Sequence, residues 1–236
     1  MIRHLVVVAL YVVAVLVSTW PLAAHLGTHL PGPPSGDTGV YVWNLWAFAR
    51  EWRSATGPFV TDAIFALTGG ADLALHNYTV ASGLIALPLM GAFGPIATFN
   101  LVLLIQLVLA AWGVIVLARH VTGDARAAWV AGLAFACSPV LTAKSTAHYS
   151  LVAAAPLPLF AYCLLRAFHS PRSPWWASAA GACLAWAAYS DVYYAIYCLV
   201  LLAVLLGHHA LRLAAAGPWS RVDVRLLWAA GVAGAA

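Results

Sequence analysis

Long apolar runs follow one another along this sequence, and they constrain its fold more than any other feature. They cover approximately residues 4–24, 77–98, 99–118, 127–143, 149–168, 174–189 and 192–211, and another begins near residue 226. Most of them reach the roughly 20 residues that a helix needs to cross a bilayer. The pattern predicts an all-α fold, a polytopic transmembrane helical bundle with about six complete spans and a shorter seventh.

The composition excludes a soluble domain. Hydrophobic residues make up 64% of the chain and charged residues 8%, which leaves too few charges for a solvated exterior. The net charge of +4 comes from basic residues scattered between apolar runs, so it indicates membrane topology and not a nucleic-acid partner. The four cysteines lie inside apolar runs without the spacing of a metal site, and we expect neither a metal nor a cofactor.

The arginines predict the topology. If the amino terminus is cytoplasmic and residues 77–98 do not span, eight of the eleven basic residues fall inside, as the positive-inside rule expects. If residues 77–98 span, only Arg3 and Lys144 remain inside. The sequence therefore predicts an inner or plasma membrane protein of a bacterial cell, with residues 77–98 as a juxtamembrane or re-entrant segment. Residues 25–97 then form a large first extracytoplasmic loop containing juxtamembrane helices.

The whole chain, residues 1–236, is predicted to be one transmembrane domain. The last apolar run begins after Arg225 and is too short to span when it reaches Ala236. We therefore expect this sequence to be the amino-terminal portion of a longer protein.

Asp37 is the first candidate for chemistry. It lies in the Gly- and Pro-rich segment 31–39, between the first apolar run and an aromatic segment typical of a membrane interface. A carboxylate at a bilayer face is costly unless it is solvated, paired or used. Asp37 is thus either a general base that activates or orients an acceptor hydroxyl, or a turn or helix cap.

Four further residues are candidates for substrate binding. Lys144 and His148 are four apart, so in a helix they share one face and suit an anionic headgroup; alternatively they are an interfacial lysine and a turn histidine. Asp191 is either part of the site or a helix cap in an outer turn. His76 is either a ligand contact or a structural histidine. The chain has no nucleotide-binding glycine loop, zinc-protease helix, serine-hydrolase elbow or Cys-x-x-Cys pair.

These motifs, in this order, resemble the GT-C superfamily of polytopic glycosyltransferases. The resemblance is carried by the segments Gly36-Asp37-Thr38, Trp43-Asn44-Leu45-Trp46, Pro58-Phe59-Val60-Thr61-Asp62, Leu75-His76-Asn77 and Leu117-Ala118-Arg119-His120. It covers the chain but only the amino-terminal half of a typical member. The nearest likeness is to bacterial members that use polyprenyl-phosphate sugars.

The resemblance implies an inverting sugar transfer to an extracytoplasmic glycan, lipid or protein acceptor. It implies that Asp37 activates the acceptor hydroxyl, while Lys144 and His148 hold the leaving phosphate. Many members carry a paired acidic motif here, whereas Thr38 follows Asp37 in this chain. Two alternatives stay open: a subunit of a transporter or flippase, and an inactive fragment that assembles with another membrane protein.

Overall fold

The computed structural model describes residues 2–64, 69–74, 76–170 and 173–216, and these are mostly helical. The predicted run from residue 226 and the basic residues Arg172, Arg221 and Arg225 lie outside the described residues. The helices are α1 (Ile2–Ser18), α2 (Thr38–Glu51), α3 (Val80–Thr122), α4 (Ala125–Ala136), α5 (Pro139–Ser145), α6 (Pro156–His169), α7 (Pro174–Ser190) and α8 (Val192–Ala216). Leu22–His25 and Tyr149–Val152 are short 3₁₀ helices.

The structure adds a small hairpin to the predicted all-α fold. Strands β1 (Val60–Thr61) and β2 (Ala71–Asp72) pair antiparallel, with Val60 opposite Asp72.

In the described part of the chain, three helical stretches are long and apolar enough to cross a bilayer: Val80–Thr122, Ala125–Ser145 and Val192–Arg212. They confirm the helical character and indicate a membrane protein. The apolar stretch Val6–Ser18 of α1 is shorter than these, and α6 and α7 have 14 and 17 residues. The number of spans, the topology and the side on which residues 25–97 lie stay predictions.

Helix α3 contains the break that the sequence predicts between two apolar runs, although four residues earlier. Gly94 has φ 72° and ψ 175°, which is not helical, and it separates residues 80–93 from residues 95–122. Glycine adopts positive φ without steric cost, and the following Pro95 has no N–H to continue the helical hydrogen bonds. Residues 80–93 therefore form a helical segment of their own, about 20 Å long.

Two predicted continuous runs are interrupted. Within 127–143, α4 ends at Ala136 and α5 begins at Pro139, because Ser138 is extended and its Oγ accepts a hydrogen bond from Leu141 N at 3.3 Å. A serine cap followed by proline is a strong helix start. Within 149–168, the α-helix begins only at Pro156.

The chain forms two compact units, one of residues 1–109 and 133–153 and one of residues 110–132 and 154–236. In the first, Tyr149 packs between Phe99 and Tyr41, with ring centroids 4.4 and 5.5 Å away. In the second, α7 packs against α6 and α8, and α6 also contacts α8. Within this second unit the Arg166 guanidinium lies 4.3 Å from the centre of the Trp176 ring.

Asn100 ties the chain that follows α1 to α3. Its side chain is fully buried, and its Nδ2 donates to the carbonyl oxygens of Leu26 and His29, both at 2.8 Å. These bonds fix the backbone that leads into the segment containing Asp37.

Replacing Asn100 with leucine is expected to lower the free energy of unfolding by about 2–4 kcal/mol, because two backbone carbonyls lose their donor. Denaturant titration in uncharged detergent micelles measures this. Thr142→Ala, at an exposed position, is the control and should change stability by less than about 0.5 kcal/mol. Equal effects of the two substitutions would contradict the anchoring role of Asn100.

Candidate functional site

The loop that precedes α2 is held against the turn that follows α5. Thr38 Oγ1 donates to Pro31 O at 3.0 Å, and Gly36 N donates to Pro33 O at 2.9 Å. Gly32 has φ 95°, and a Cβ at this position would overlap the carbonyl oxygen of Thr146. The loop therefore approaches the turn more closely than any residue other than glycine allows.

Asp37 occupies the N-cap position of α2, but its side chain makes no capping hydrogen bond. The carboxylate is 61% exposed, and its Oδ2 lies 3.9 Å from His148 Nδ1, on a side chain that is 53% exposed. Asp37 therefore has the position of an N-cap residue, as one alternative predicted, but its carboxylate does not cap the helix. The structure thus brings together two of the predicted residues, 111 positions apart in sequence.

Lys144 and His148 do not share a helical face, which corrects the geometry predicted from their spacing. Helix α5 ends at Ser145. Ser145 Oγ donates to Thr142 O at 2.7 Å and Thr146 Oγ1 to Ala143 O at 2.9 Å, so side-chain hydroxyls satisfy the carbonyls at the helix end. His148 lies in the turn beyond, its N–H bonded to Lys144 O at 2.9 Å.

His76 belongs to a polar chain that reaches α2. Its Nε2 lies 3.0 Å from Asn44 Oδ1, and Asn44 Nδ2 donates to Asn77 O at 2.7 Å. The His76 ring also meets Trp43 edge to face, with centroids 6.2 Å apart. These contacts match the structural alternative for His76, whose imidazole nevertheless remains exposed.

The polar chain of hydrogen bonds that contains His76 continues through residues that the sequence did not identify as candidates. Asn77 Nδ2 donates to Tyr41 OH at 2.7 Å, and Tyr41 OH lies 3.4 Å from Ser150 Oγ. Tyr41 is one helical turn after Asp37 and Ser150 is two residues after His148. The buried end of the polar chain therefore lies behind the Asp37–His148 pair. Tyr41 and Asn44 are three apart in an aromatic segment, a spacing that indicates one shared face.

Tyr149, the residue after His148, is buried and is not available as a base. Burial raises the pKa of its hydroxyl above the ordinary value, so it stays protonated at neutral pH. Its ring supports the turn that carries His148.

Asp191 belongs to the second compact unit, whereas Asp37 belongs to the first. Its Oδ1 accepts a hydrogen bond from Tyr193 N at 2.9 Å. This is the contact of a cap at the start of α8, the alternative that the sequence left open.

Glu51, the last residue of α2, is a buried carboxylate. Its Oε1 accepts from Thr61 Oγ1 at 2.9 Å and from Arg50 Nη1 at 2.7 Å, and Arg50 Nη2 lies 2.8 Å from Asp62 Oδ1. This cluster joins the end of α2 to the hairpin. Burial and, secondly, the Glu51 carboxylate raise the pKa of Tyr78 above its ordinary value.

Within the described ranges, no group of three or more His, Cys, Asp or Glu side chains is arranged to hold a metal ion. No protein-family model, curated protein or solved structure matches the chain. The resemblance to the GT-C superfamily therefore stays a prediction.

Gly32→Ala is expected to be more destabilising than Gly57→Ala, a matched control. Both residues have positive φ, which costs an alanine roughly 1–2 kcal/mol. Only at Gly32 does the new Cβ meet backbone, which adds about 1–3 kcal/mol or detaches the loop. Denaturant titration gives the stability, and limited proteolysis of residues 31–37 reports detachment. Equal losses in the two variants would show that the loop does not dock on Thr146.

Proposed function

We propose that this protein is a membrane glycosyltransferase that moves a sugar from a polyprenyl-phosphate donor to a hydroxyl of an extracytoplasmic acceptor, with inversion. The observation that carries the proposal is the exposed Asp37 carboxylate, uncapped and facing His148, on a chain with apolar helices of spanning length. A carboxylate in that position suits proton abstraction from a hydroxyl that approaches along the membrane surface.

The transfer step uses Asp37 as a general base. The acceptor oxygen attacks the anomeric carbon of the donor sugar and gives its proton to a carboxylate oxygen of Asp37. The bond between the anomeric carbon and the phosphate oxygen breaks, and the polyprenyl phosphate leaves with that electron pair. Because attack and departure take place on opposite faces of the sugar, the configuration at the anomeric carbon inverts.

This geometry separates the roles of His148 and Lys144. In inverting glycosidases, the two groups that act on opposite faces of a sugar lie roughly 6.5–9.5 Å apart. His148 Nδ1 is only 3.9 Å from Asp37 Oδ2, on the base side of such an arrangement. We therefore assign His148 to orienting Asp37 or the acceptor. Lys144, a half-buried residue in the last turn of α5, remains the residue proposed to attract the leaving phosphate.

Asp37→Asn is expected to reduce sugar transfer by about 100-fold or more, since it removes the base and keeps the shape. The measurement is transfer of radiolabelled sugar from a panel of polyprenyl-phosphate donors in membranes that contain the full chain. Asp72→Asn is the control, because Asp72 is exposed and its Oδ1 caps Ala74 N, a bond that an asparagine oxygen also makes. Transfer that survives Asp37→Asn would remove Asp37 from the mechanism. Absence of transfer by the wild-type chain with every donor would overturn the proposal.

His148→Gln and Lys144→Gln are expected to affect different kinetic constants. Loss of the orienting imidazole lowers kcat by about tenfold, with little change in the KM for the donor. Loss of the Lys144 ammonium weakens binding of the donor phosphate and raises the KM for the donor by about tenfold. Steady-state kinetics with varied donor separate the two. A rise in donor KM for His148→Gln, with kcat unchanged, would instead show that His148 binds the leaving phosphate.

A further inference from the structure

Two clefts lie along one face of α2. A cleft of about 480 Å³ is lined by Gly39, Val42, Trp43 and Trp46 of this helix, together with Ala63 and Pro95. A second cleft of about 590 Å³ shares Trp46 and extends to Arg53. The residues that α2 contributes are three or four apart, so they form a single helix face. Both volumes fall within the roughly 300–1,000 Å³ of small-molecule sites.

The larger cleft, which we call the arginine cleft, has one apolar wall and one cationic end. Trp46, Trp52, Leu87, Pro88 and Met90 supply the apolar surface, and Arg50 and Arg53 supply the charge. No acidic side chain is among the lining residues. An amphiphile with an anionic head matches this combination of charge and apolar area.

The two arginines differ in the salt bridges that they already make. Arg50 is paired with Glu51 and Asp62 and lies 5.6 Å from the centre of the Trp46 ring. Arg53 is exposed, and no acidic group in the described part of the chain lies within salt-bridge distance of it. Its guanidinium is therefore free to bind a phosphate through two hydrogen bonds.

The arginine cleft is separate from the proposed transfer centre. Asp37 occupies the N-cap position of α2 and Arg50 lies in the last turn of this helix, a distance of about 20 Å at the helical rise per residue. A phosphate bound to Arg53 is thus too far away to be the leaving group of a sugar whose acceptor is activated by Asp37.

We propose that the arginine cleft binds one anionic phospholipid. Its phosphate is held by Arg53, and one acyl chain lies against Trp46, Leu87 and Met90. Tryptophan suits the headgroup level of a bilayer and methionine adapts to flexible chains. This site does not depend on the proposed transferase activity.

Gly91 allows the cleft to be closed without disturbing its walls. It lines the cleft, and a Cβ at this position would meet no other atom within 4 Å. Phenylalanine at position 91 therefore fills the space in which the acyl chain is proposed to lie, whereas alanine leaves most of it open. Arg53→Gln tests the headgroup contact, and Arg212→Gln removes an equally exposed charge from α8.

The experiment uses the full chain purified in an uncharged maltoside detergent. Phosphatidylglycerol, phosphatidylcholine and inorganic phosphate are titrated separately, with the thermal unfolding midpoint and native mass spectrometry as readouts. We expect one phosphatidylglycerol bound per chain and a rise in Tm. We expect about tenfold weaker binding in Arg53→Gln, the loss typical of a charge-assisted hydrogen bond. Gly91→Phe should abolish binding, while Gly91→Ala and Arg212→Gln should match the wild type.

Four results would overturn the proposal. Binding that survives Gly91→Phe would show that the lipid is not in the cleft. An equal loss in Arg212→Gln and Arg53→Gln would show general attraction to positive charge. Stabilisation by inorganic phosphate that depends on Arg53 but not on Gly91 would identify a free anion as the ligand. Phosphatidylcholine binding as tightly as phosphatidylglycerol would exclude the anionic preference.

Discussion

The packing of Tyr149 between Tyr41 and Phe99 is the interaction on which the first compact unit depends. It joins three segments that are far apart in the chain: α2, α3 and the turn after α5. Buried aromatic rings contribute both area and specific geometry, about 0.5–1.5 kcal/mol per pair beyond the area itself. The packing of Tyr149 therefore constrains the preceding residue, His148, to face the start of α2.

The same packing explains why the pair at the site is exposed while its support is buried. Tyr41 is 1% exposed and Tyr149 is 2% exposed, whereas Asp37 and His148 keep more than half of their side-chain surface. The hydrogen bond from Asn77 Nδ2 to Tyr41 OH ties the first turn of α2 to residue 77. An exposed pair of ionisable side chains is thus carried by backbone whose neighbouring residues are buried.

Apolar runs predicted the helical, membrane-type architecture because burial in lipid demands helices of a given length. They did not predict the interruptions. Ser138 and Pro139 are both tolerated within apolar sequence. They begin a new helix because Leu141 N donates a hydrogen bond to Ser138 Oγ. The spacing of Lys144 and His148 failed for a related reason. It assumed a continuing helix, whereas the hydroxyls of Ser145 and Thr146 satisfy the end of α5.

Asp37 was indicated because it is a carboxylate expected at a bilayer face, where an ionisable group is costly, and His148 was indicated by its four-residue spacing from Lys144. Their contact depends on Gly32, whose missing side chain lets the loop reach the turn. Arg50 and Arg53 show the opposite case. Both are among the three basic residues that the predicted topology leaves outside, and the proposed lipid site requires the groove between α2 and residues 87–91. The side chains around a basic residue, which the sequence alone does not display, therefore decide whether that residue lines a cleft.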